Sequence, residues 1–364
     1  MHRQILPIPR KPYALNWLPE RLIQAAMSTR EDAETNNRPG EARRMTMQEI
    51  TPIAVRPWTL NGISERMIVS HYENNYGEAV RTLNAVRDEL AALDARAPGY
   101  RLRALKREEV IAMGSVTLHE LYFGNLGGQG NQIPDPVRAV LEEHFGSVGA
   151  WRREFVGTAR SLAGGSGWVL LTYSRRERRF WNQVATDYSQ AAVDAAPVLA
   201  LDMYEHAYHM DFGANATAYV DAFMRNVDWA AVVQRVDAVR GDRSLPLEDP
   251  SDTSLPSLSV EELTARLAKG EPVQVLDARP RHHISRTIDL MDGAVWRDPD
   301  RVDDWIGELA PDRPIAVYCA YGFHVGCNVT RTLRERGFDA RYIRGGVSAW
   351  YATGGPRALR PDAG

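Results

Sequence analysis

Cysteine is scarce in this sequence: Cys319 and Cys327 are the only two in 364 residues. Two cysteines cannot form the disulfide framework that stabilises many secreted domains. Long apolar runs are missing as well, since no stretch reaches the roughly 20 apolar residues of a membrane span. No apolar segment follows the basic N-terminal residues, as a secretory signal would require. We therefore expect a cytoplasmic protein that does not enter a membrane.

An excess of positive charge is also missing. The net charge is −3, with 25% charged and 44% hydrophobic residues. Proteins that bind nucleic acid usually carry a basic surface, so we expect no nucleic-acid partner. The composition is typical of a globular protein, and the length exceeds that of one ordinary domain.

Composition and periodicity divide the chain into five segments. Polar residues without periodicity dominate the start, where only 15–27 has the pattern of a short amphipathic helix. A stretch rich in Pro, Ser and Asp predicts a linker between two folded domains. The predicted segments are a poorly ordered extension (1–50), an α+β domain (51–240), a linker (241–256), an α/β domain with a parallel sheet (257–357) and a tail (358–364).

Within the first domain, apolar residues at three- and four-residue spacing predict a helical hairpin, and a change to strand periodicity follows. The second domain alternates helix and strand, which is typical of a parallel sheet. Helices are predicted at 64–95, about 106–124, twice within 135–164, and at 217–236, 259–270 and 328–337. Strands are predicted at 165–174, 178–186, 197–202, 272–279, 314–320 and 340–343.

An acid and an imidazole interrupt the apolar run LDMYEHAYHM at 201–210, and two more histidines lie on the predicted hairpin. Two antiparallel helices can bring His71 and His119 together, and a strand–helix corner can add Asp202 and His206. Three imidazoles and one carboxylate suit iron or manganese, although they do not exclude zinc. A lone histidine is more often a core or surface residue, so spacing alone does not establish a metal site.

The segment VYCAYGFHVG at 317–326 lies between a predicted strand and a predicted helix. Backbone N–H groups of such a loop, together with the helix N-terminus, are expected to stabilise a thiolate on Cys319. That thiolate would attack a sulfane sulfur and carry it as a persulfide. The alternative is an inert cysteine buried at the end of a strand.

Motifs spread over most of residues 57–236 resemble the iron/manganese superoxide dismutases. LDMYEHAY at 201–208 looks like the most diagnostic motif of that family, and GSGW at 165–168 resembles a second signature. The other similar stretches are HYENNYGEAVRTLN (71–84), LHELYFGNL (118–126), FGS to WRREF (145–155) and AYVDAFMRNVDW (218–229).

This resemblance implies one iron or manganese ion per chain and superoxide as the substrate, with one molecule leaving as O₂ and a second as peroxide. It implies a homodimer or higher homo-oligomer, in which Glu205 crosses the interface to a ligand histidine of the neighbouring subunit. Tyr204 stands where the family has a pocket tryptophan. The implied metal ligands are His71, His119, Asp202 and His206.

Several surrounding positions depart from the family pattern. Ala79 replaces a tyrosine that guards the substrate channel, and Asn75 replaces a histidine. The glutamine that hydrogen-bonds metal-bound solvent has no clear match, although Ser115 and the stretch 186–190 occupy the two places from which it can come. Glu120 adds an acidic group directly after a ligand.

These departures leave two interpretations open. Either the dismutase activity is weak or altered, or another tyrosine replaces the missing groups. The candidates are Tyr72, Tyr76, Tyr188 and Tyr204.

The second domain is similar to single-domain rhodaneses through LDAR (276–279), CAYGFH (319–324) and RERGFDARYIRGGVSAW (334–350). The resemblance implies that Cys319 is the catalytic residue, with a sulfane-sulfur donor and a thiol acceptor as partners. His324 stands where the family loop has an arginine, and Cys327 is either a resolving thiol or a buried helix residue.

Details of both domains resemble the proteins of bacterial chromate-resistance operons, which implies a role in oxidative or chromate stress. Three hypotheses follow: a dismutase with an appended sulfurtransferase, a metal-dependent sulfur or persulfide enzyme that uses the altered metal site, and a non-catalytic metal-binding homologue.

Overall fold

A computed structural model describes residues 47–190, 192–241 and 254–360. The predicted extension up to residue 46, including the predicted helix at 15–27, lies outside the described residues. Most of the predicted linker and the residues 361–364 of the predicted tail lie outside them as well. Among the helices described, none combines the length and apolar character needed to cross a bilayer.

A helical hairpin opens the described chain. Ser64 caps its first helix, because the Ser64 hydroxyl accepts a hydrogen bond from the Met67 N–H. The predicted helix at 64–95 is confirmed but contains one π-helical turn, a distortion that often occurs at functional sites. The elements are α1 (Glu65–Ser70), the π turn (His71–Tyr76), α2 (Gly77–Ala91) and α3 (Gly99–Phe123).

An α+β unit follows the hairpin. Its three-stranded antiparallel sheet has the order β2–β1–β3, and all seven residues of β1 are buried at its centre. The elements are α4 (Asp135–Phe145), α5 (Val148–Ser161), β1 (Trp168–Ser174), β2 (Arg179–Ala185), β3 (Ala195–Asp202), α6 (His209–Phe212), α7 (Ala216–Arg225) and α8 (Trp229–Arg240).

The helix predicted at 217–236 is divided into α7 and α8. Asn226 ends α7, since its side-chain amide donates to the carbonyls of Ala222 and Asn61. Asp228 then begins α8, because its carboxylate accepts from the N–H groups of Ala230 and Ala231. Two capping side chains therefore break a pattern whose apolar spacing is continuous.

The remaining part contains a five-stranded parallel sheet of order β4–β9–β8–β5–β7, which confirms the expected α/β class. A two-stranded antiparallel sheet pairs β10 with β6. The elements are β4 (Ser257–Leu258), α9 (Val260–Ala268), β5 (Gln274–Asp277), α10 (Arg281–Ile284), β6 (Asp289–Met291), β7 (Val295–Trp296), α11 (Val302–Trp305), β8 (Ile315–Tyr318), α12 (His324–Glu335), β9 (Ala340–Ile343), α13 (Gly346–Ala352) and β10 (Arg357–Leu359).

The two sheet-containing parts pack against each other. The Ser348 hydroxyl of α13 donates to Glu73 Oε1 of the π turn at 2.8 Å. A guanidinium N–H of Arg81 donates to the Ala352 carbonyl. A Cβ atom on Gly77 would lie 2.4 Å from that same carbonyl oxygen, so α13 approaches α2 at van der Waals distance because residue 77 has no side chain.

The first described residues join this packing. The N–H of Gln48 donates to Asn84 Oδ1 at 2.8 Å, and the N–H of Ile50 donates to Glu261 Oε1 at 2.9 Å. The segment therefore links α2 to α9, although the sequence places residues up to 50 in a poorly ordered extension. At the other end, β10 continues to Leu359, two residues into the predicted tail.

Candidate metal centre and cysteine loop

Four potential ligands converge from separate elements. His71 begins the π turn, and His119 lies on the last turns of α3. Asp202 is the last residue of β3, and His206 lies in the 3₁₀ turn Glu205–Ala207 that follows. The hairpin and the end of β3 with its following turn therefore bring two candidate ligands each to one place.

One potential ligand atom from each of these residues lies within 4.8 Å of the others. Asp202 Oδ2 is central, at 3.2 Å from His71 Nε2, 3.1 Å from His206 Nε2 and 3.9 Å from His119 Nε2. The other carboxylate oxygen, Oδ1, accepts from the Tyr204 N–H at 2.8 Å. That hydrogen bond holds the carboxylate with Oδ2 facing the imidazoles.

Unpartnered buried nitrogens indicate that a metal fits this cluster. Among the described residues, His71 Nδ1 and His119 Nε2 have no hydrogen-bond partner, and His71 Nε2 makes only its 3.2 Å approach to Asp202 Oδ2. His119 Nδ1 donates to the Ser115 carbonyl at 2.7 Å, which leaves the lone pair of Nε2 directed at the cluster. Because an unpartnered buried polar atom is costly, a cation that accepts these lone pairs accounts for the arrangement.

The electrostatics of the cluster also suit a cation. Burial, followed by the neighbouring His71, lowers the pKa of His119 from 6.5 to about 3. Burial also lowers the pKa of His71. Burial alone would raise the pKa of Asp202, but the hydrogen bonds and charges of His206 and His71 outweigh it and hold that pKa below its usual value. His71 and His119 are thus neutral imidazoles and Asp202 a carboxylate near neutral pH, the forms that bind metals.

Solvent reaches the cluster on one side. The side chain of His206 is 24% exposed, whereas those of His71, His119 and Asp202 are 0–1% exposed. Tyr204 stacks on His206 with ring centroids 5.5 Å apart, and Tyr188 stacks on Tyr204 at 5.1 Å. These two tyrosines therefore line the approach to the cluster.

Tyr188 also meets the second ligand helix. Its hydroxyl hydrogen-bonds to Ser115, whose own Oγ lies 3.4 Å from His119 Nδ1. A Cβ atom on Gly114 would lie 2.0 Å from the Tyr188 carbonyl oxygen, so the close approach depends on that glycine. Ser115 and the stretch 186–190, the two places where the sequence leaves the solvent-binding group open, are thus in contact.

The hydroxyls of Tyr72 and Tyr76 form hydrogen bonds away from the four-residue cluster. The Tyr72 hydroxyl donates to the Thr51 carbonyl at 2.8 Å, and the Tyr76 hydroxyl donates to Glu120 Oε1 at 2.8 Å. Glu120 also accepts from the Thr51 hydroxyl, and burial raises its pKa. Of the four tyrosines that the sequence offers as replacements, these two have hydroxyls committed to a separate network.

The remaining predicted site positions lie around this centre. Trp168 is buried, with its ring centroid 5.4 Å from that of His119, and its indole N–H has no partner within the described part of the chain. Asn75 is half-buried on the π turn, and Ala79 is buried on α2. Glu205 is exposed, and its carboxylate has no partner in this chain among the described residues.

The cysteine loop lies between β8 and α12. The N–H groups of Tyr321, Gly322, Phe323 and Gly326 are directed at the sulfur of Cys319. The helix predicted at 328–337 begins earlier, at His324, so the loop around the sulfur is short and consists of residues 319–323. Cys319 and Cys327 form no disulfide with each other.

The predicted N–H groups do stabilise a thiolate on Cys319, but burial opposes them more strongly. Burial raises the pKa of Cys319 above its ordinary value of 9.0, although the surrounding N–H groups lower it. The side chain is 5% exposed, so the cost of burying a charge exceeds the gain from those hydrogen bonds.

Comparison with known proteins agrees with both sites. The chain matches the model of the C-terminal domain of iron/manganese superoxide dismutases over residues 134–235 and the model of rhodanese-like domains over residues 259–353. A superoxide dismutase [Fe] from Cupriavidus metallidurans is 51% identical over 197 residues, which cover 54% of this chain and 100% of that protein. The chain belongs to the iron/manganese superoxide dismutase family.

More distant relatives of the same family carry either metal. A superoxide dismutase [Mn] 2 from Haloferax volcanii is 32% identical over 45% of this chain and 82% of its own length. A superoxide dismutase [Fe] from Aquifex pyrophilus is 30% identical over 47% of this chain and 82% of its own length. The enzyme is accordingly an oxidoreductase that uses iron or manganese, with a rhodanese-like domain behind its dismutase part.

Sequence reasoning missed the residues of the dismutase part that surround the cysteine loop. Trp58 stacks on Tyr321 with ring centroids 5.7 Å apart, and Glu65 accepts a hydrogen bond from the Tyr321 hydroxyl. No local sequence pattern predicts such a contact, because the contacting residues are more than 250 positions apart in the chain. The segment PWT forms the 3₁₀ turn Pro57–Thr59, and its apolar Trp58 side chain is exposed, which is the one hint of a surface that needs a partner.

Proposed function

We propose that His71, His119, Asp202 and His206 hold one iron or manganese ion and that the chain removes superoxide there. The observation that carries this proposal is the convergence of these four buried or half-buried side chains, whose ligand atoms lie within 4.8 Å of one another, with unpartnered imidazole nitrogens. The iron relative that is 51% identical favours iron over manganese.

When bound, the metal supplies one-electron redox chemistry that converts one superoxide to O₂ and a second to peroxide. The Ser115 carbonyl fixes the tautomer of His119, and the Tyr204 N–H orients Asp202. Tyr204 and Tyr188 line the solvent side, where superoxide enters. Their hydroxyls, together with Ser115, take over the solvent-orienting role for which the sequence has no glutamine.

Glu205 is proposed to act in a homodimer or higher homo-oligomer. It directly precedes the ligand His206, yet it is exposed, whereas Ala207 and Tyr208 after it are buried. A carboxylate at this position is available to a ligand histidine of a neighbouring subunit, and a carboxylate that accepts the other ring N–H of such a histidine raises its basicity.

The test compares His206→Ala with His209→Ala. His209 lies three residues on, is exposed, and contributes no atom to the cluster. We expect His206→Ala to lose metal and superoxide removal, while His209→Ala keeps both. Equal metal content and turnover in the two variants would contradict the proposed ligand set.

A second activity is proposed for the rhodanese-like domain, because four N–H groups surround the sulfur of Cys319. The Cys319 thiolate attacks the outer sulfur of a donor such as thiosulfate. A new S–S bond forms, the donor S–S bond breaks, and sulfite leaves with the electron pair. An acceptor thiolate then removes the outer sulfur and restores Cys319.

Cys319→Ser should abolish the release of sulfite from thiosulfate in the presence of a thiol. Cys327→Ser should retain it, because Cys327 lies on α12 with its sulfur 3.8 Å from the Gly322 carbonyl and is not the residue that the N–H groups surround. Retained turnover in Cys319→Ser would refute the proposed nucleophile.

We further propose a cytoplasmic protein that acts in oxidative or chromate stress, with domains at 51–240 and 257–357 joined by the linker 241–256.

The alternative function is a metal-dependent sulfur enzyme, and the packing of the cysteine loop near the helix that precedes His71 favours it. That alternative requires a sulfur-converting activity that is lost in both Cys319→Ser and His206→Ala. A non-catalytic homologue would bind metal but show neither activity.

A further inference from the structure

A short segment of the dismutase part lies against the cysteine loop. Trp58 stacks on Tyr321 at an interplanar angle of 27°, and its ring meets the edge of Phe323 at 6.1 Å. The Tyr321 hydroxyl donates to Glu65 on α1. The side chains that the cysteine loop projects are therefore contacted by residues that lie outside the rhodanese-like domain.

The orientation of the loop puts this segment at its rim. The backbone N–H groups of Tyr321 and Phe323 are directed at the sulfur of Cys319. A Cβ atom on Gly326 would lie 3.5 Å from that sulfur, so α12 closes another side. With the backbone turned inward, the rings of Tyr321 and Phe323 face the dismutase segment.

Arg56 places a positive charge beside the aromatic side chains of the cysteine loop. Its guanidinium carbon lies 5.9 Å from the centre of the Phe323 ring, and the residue is exposed. Arg56 forms no ion pair with any carboxylate of the described residues. Arg279, by contrast, is buried and donates to both carboxylate oxygens of Asp277.

Two other titratable groups lie beside the aromatic rings of the loop. Glu65 accepts the Tyr321 hydroxyl hydrogen bond and interacts with the half-buried His283. His324 is exposed, and its ring stacks on that of Phe323 with centroids 6.3 Å apart. Arg56 is therefore a permanently charged cation beside this loop that contacts no carboxylate of the described residues.

We infer that Arg56, a residue of the dismutase part, selects anionic sulfur compounds for Cys319. This inference rests on the proposed sulfurtransferase activity. A thiolate and an anionic donor such as thiosulfate repel each other, and a nearby cation offsets that repulsion. The dismutase part thus supplies a specificity-determining charge to the active site of the domain fused behind it.

The test uses the full-length protein and two alkylating probes of similar size, anionic iodoacetate and neutral iodoacetamide. The rate of modification of Cys319 is followed by mass spectrometry of its peptide. The ratio of the two rate constants cancels any change in thiol pKa or burial, because both probes react with the same thiolate. It therefore reports the charge at the rim.

Arg56→Gln should lower the iodoacetate-to-iodoacetamide ratio by about threefold or more, and Arg56→Lys should keep it near the wild-type value. Glu65→Gln removes a negative charge and should raise the ratio. Arg101→Gln, an exposed arginine on α3, is the matched control and should leave it unchanged. Superoxide removal by the same samples reports correct folding.

An unchanged ratio in Arg56→Gln would overturn the inference, whatever the sulfurtransferase activity. If the ratio falls and the KM for thiosulfate rises with little change in kcat, both the inference and the proposed activity are supported. If the ratio falls but the wild-type protein releases no sulfite from thiosulfate, the anion-selecting charge stands and the proposed activity fails.

Discussion

At the scale of single residues, burial decides the chemistry of the centre. His119 and Asp202 have almost no solvent exposure, and their protonation states follow from the groups they face. The Ser115 carbonyl and the Tyr204 N–H each fix one ligand. The metal-free protein therefore holds groups in forms that are costly without a cation.

This cost predicts that the stability of the metal-free protein depends on pH. The pKa of His119 is about 3 when folded and about 6.5 when unfolded, so the unfolded chain binds the extra proton between these values. The free energy of unfolding should therefore fall as the pH drops from 6.5 toward 3. The difference between the folded and unfolded pKa of His119 corresponds to about 5 kcal/mol in the free energy of unfolding over the full pH range.

The measurement is urea unfolding of the chelator-treated protein from pH 7.5 to 4.5, compared with His119→Gln. The variant lacks the titrating imidazole and should show a shallower loss of stability toward low pH. A steeper loss in the variant than in the wild-type protein would contradict the assigned cause.

At the scale of elements, the sequence predicts most of the fold. Apolar periodicity predicts the hairpin, whose helices bury one face, and short apolar runs predict the strands, of which β1 and β8 are buried on both faces. It misses the break between α7 and α8, where the capping groups of Asn226 and Asp228 override a continuous apolar pattern. It also misses the π turn, because apolar spacing does not reveal a change of hydrogen-bond register within a helix.

The contact between α2 and α13 leads to a prediction about glycine. Gly77→Ala would place a Cβ atom 2.4 Å from the Ala352 carbonyl oxygen, so one of the two helices must move. We expect a loss of about 1–3 kcal/mol in the free energy of unfolding, as for other overpacked sites.

Gly157→Ala is the matched control, because no atom lies within 4 Å of a Cβ at that position of α5. Alanine has the higher helix propensity, so this variant should be stabilised by about 0.5–1 kcal/mol. Thermal and urea unfolding of the two variants measure the difference. A stabilised Gly77→Ala would show that the helices do not approach so closely.

At the scale of the whole molecule, the candidate ligands could be found in the sequence but their setting could not. The candidate ligands lie in recognisable local motifs. The contacts of Glu73 with Ser348 and of Glu65 with Tyr321 join residues more than 250 positions apart, and no local pattern encodes them. The sequence therefore left open whether the two domains touch, and the structure answers that they do.

A continuous apolar core joins the two sheet-containing parts: Val347, Ala349 and Trp350 of α13 belong to the same buried cluster as Met67 and Tyr72 of the hairpin. We therefore expect one cooperative transition in differential scanning calorimetry of the metal-loaded protein. Two transitions, of which only one shifts with metal, would contradict a shared core.

The most direct test of the proposed centre is metal content and superoxide removal measured on one purified sample, with His119→Ala beside the wild-type protein. We predict about one iron or manganese ion per chain with rapid superoxide removal in the wild-type protein, and the loss of both in the variant. Stoichiometric metal with negligible turnover, or turnover that survives in His119→Ala, would contradict the account of this site as a superoxide dismutase centre.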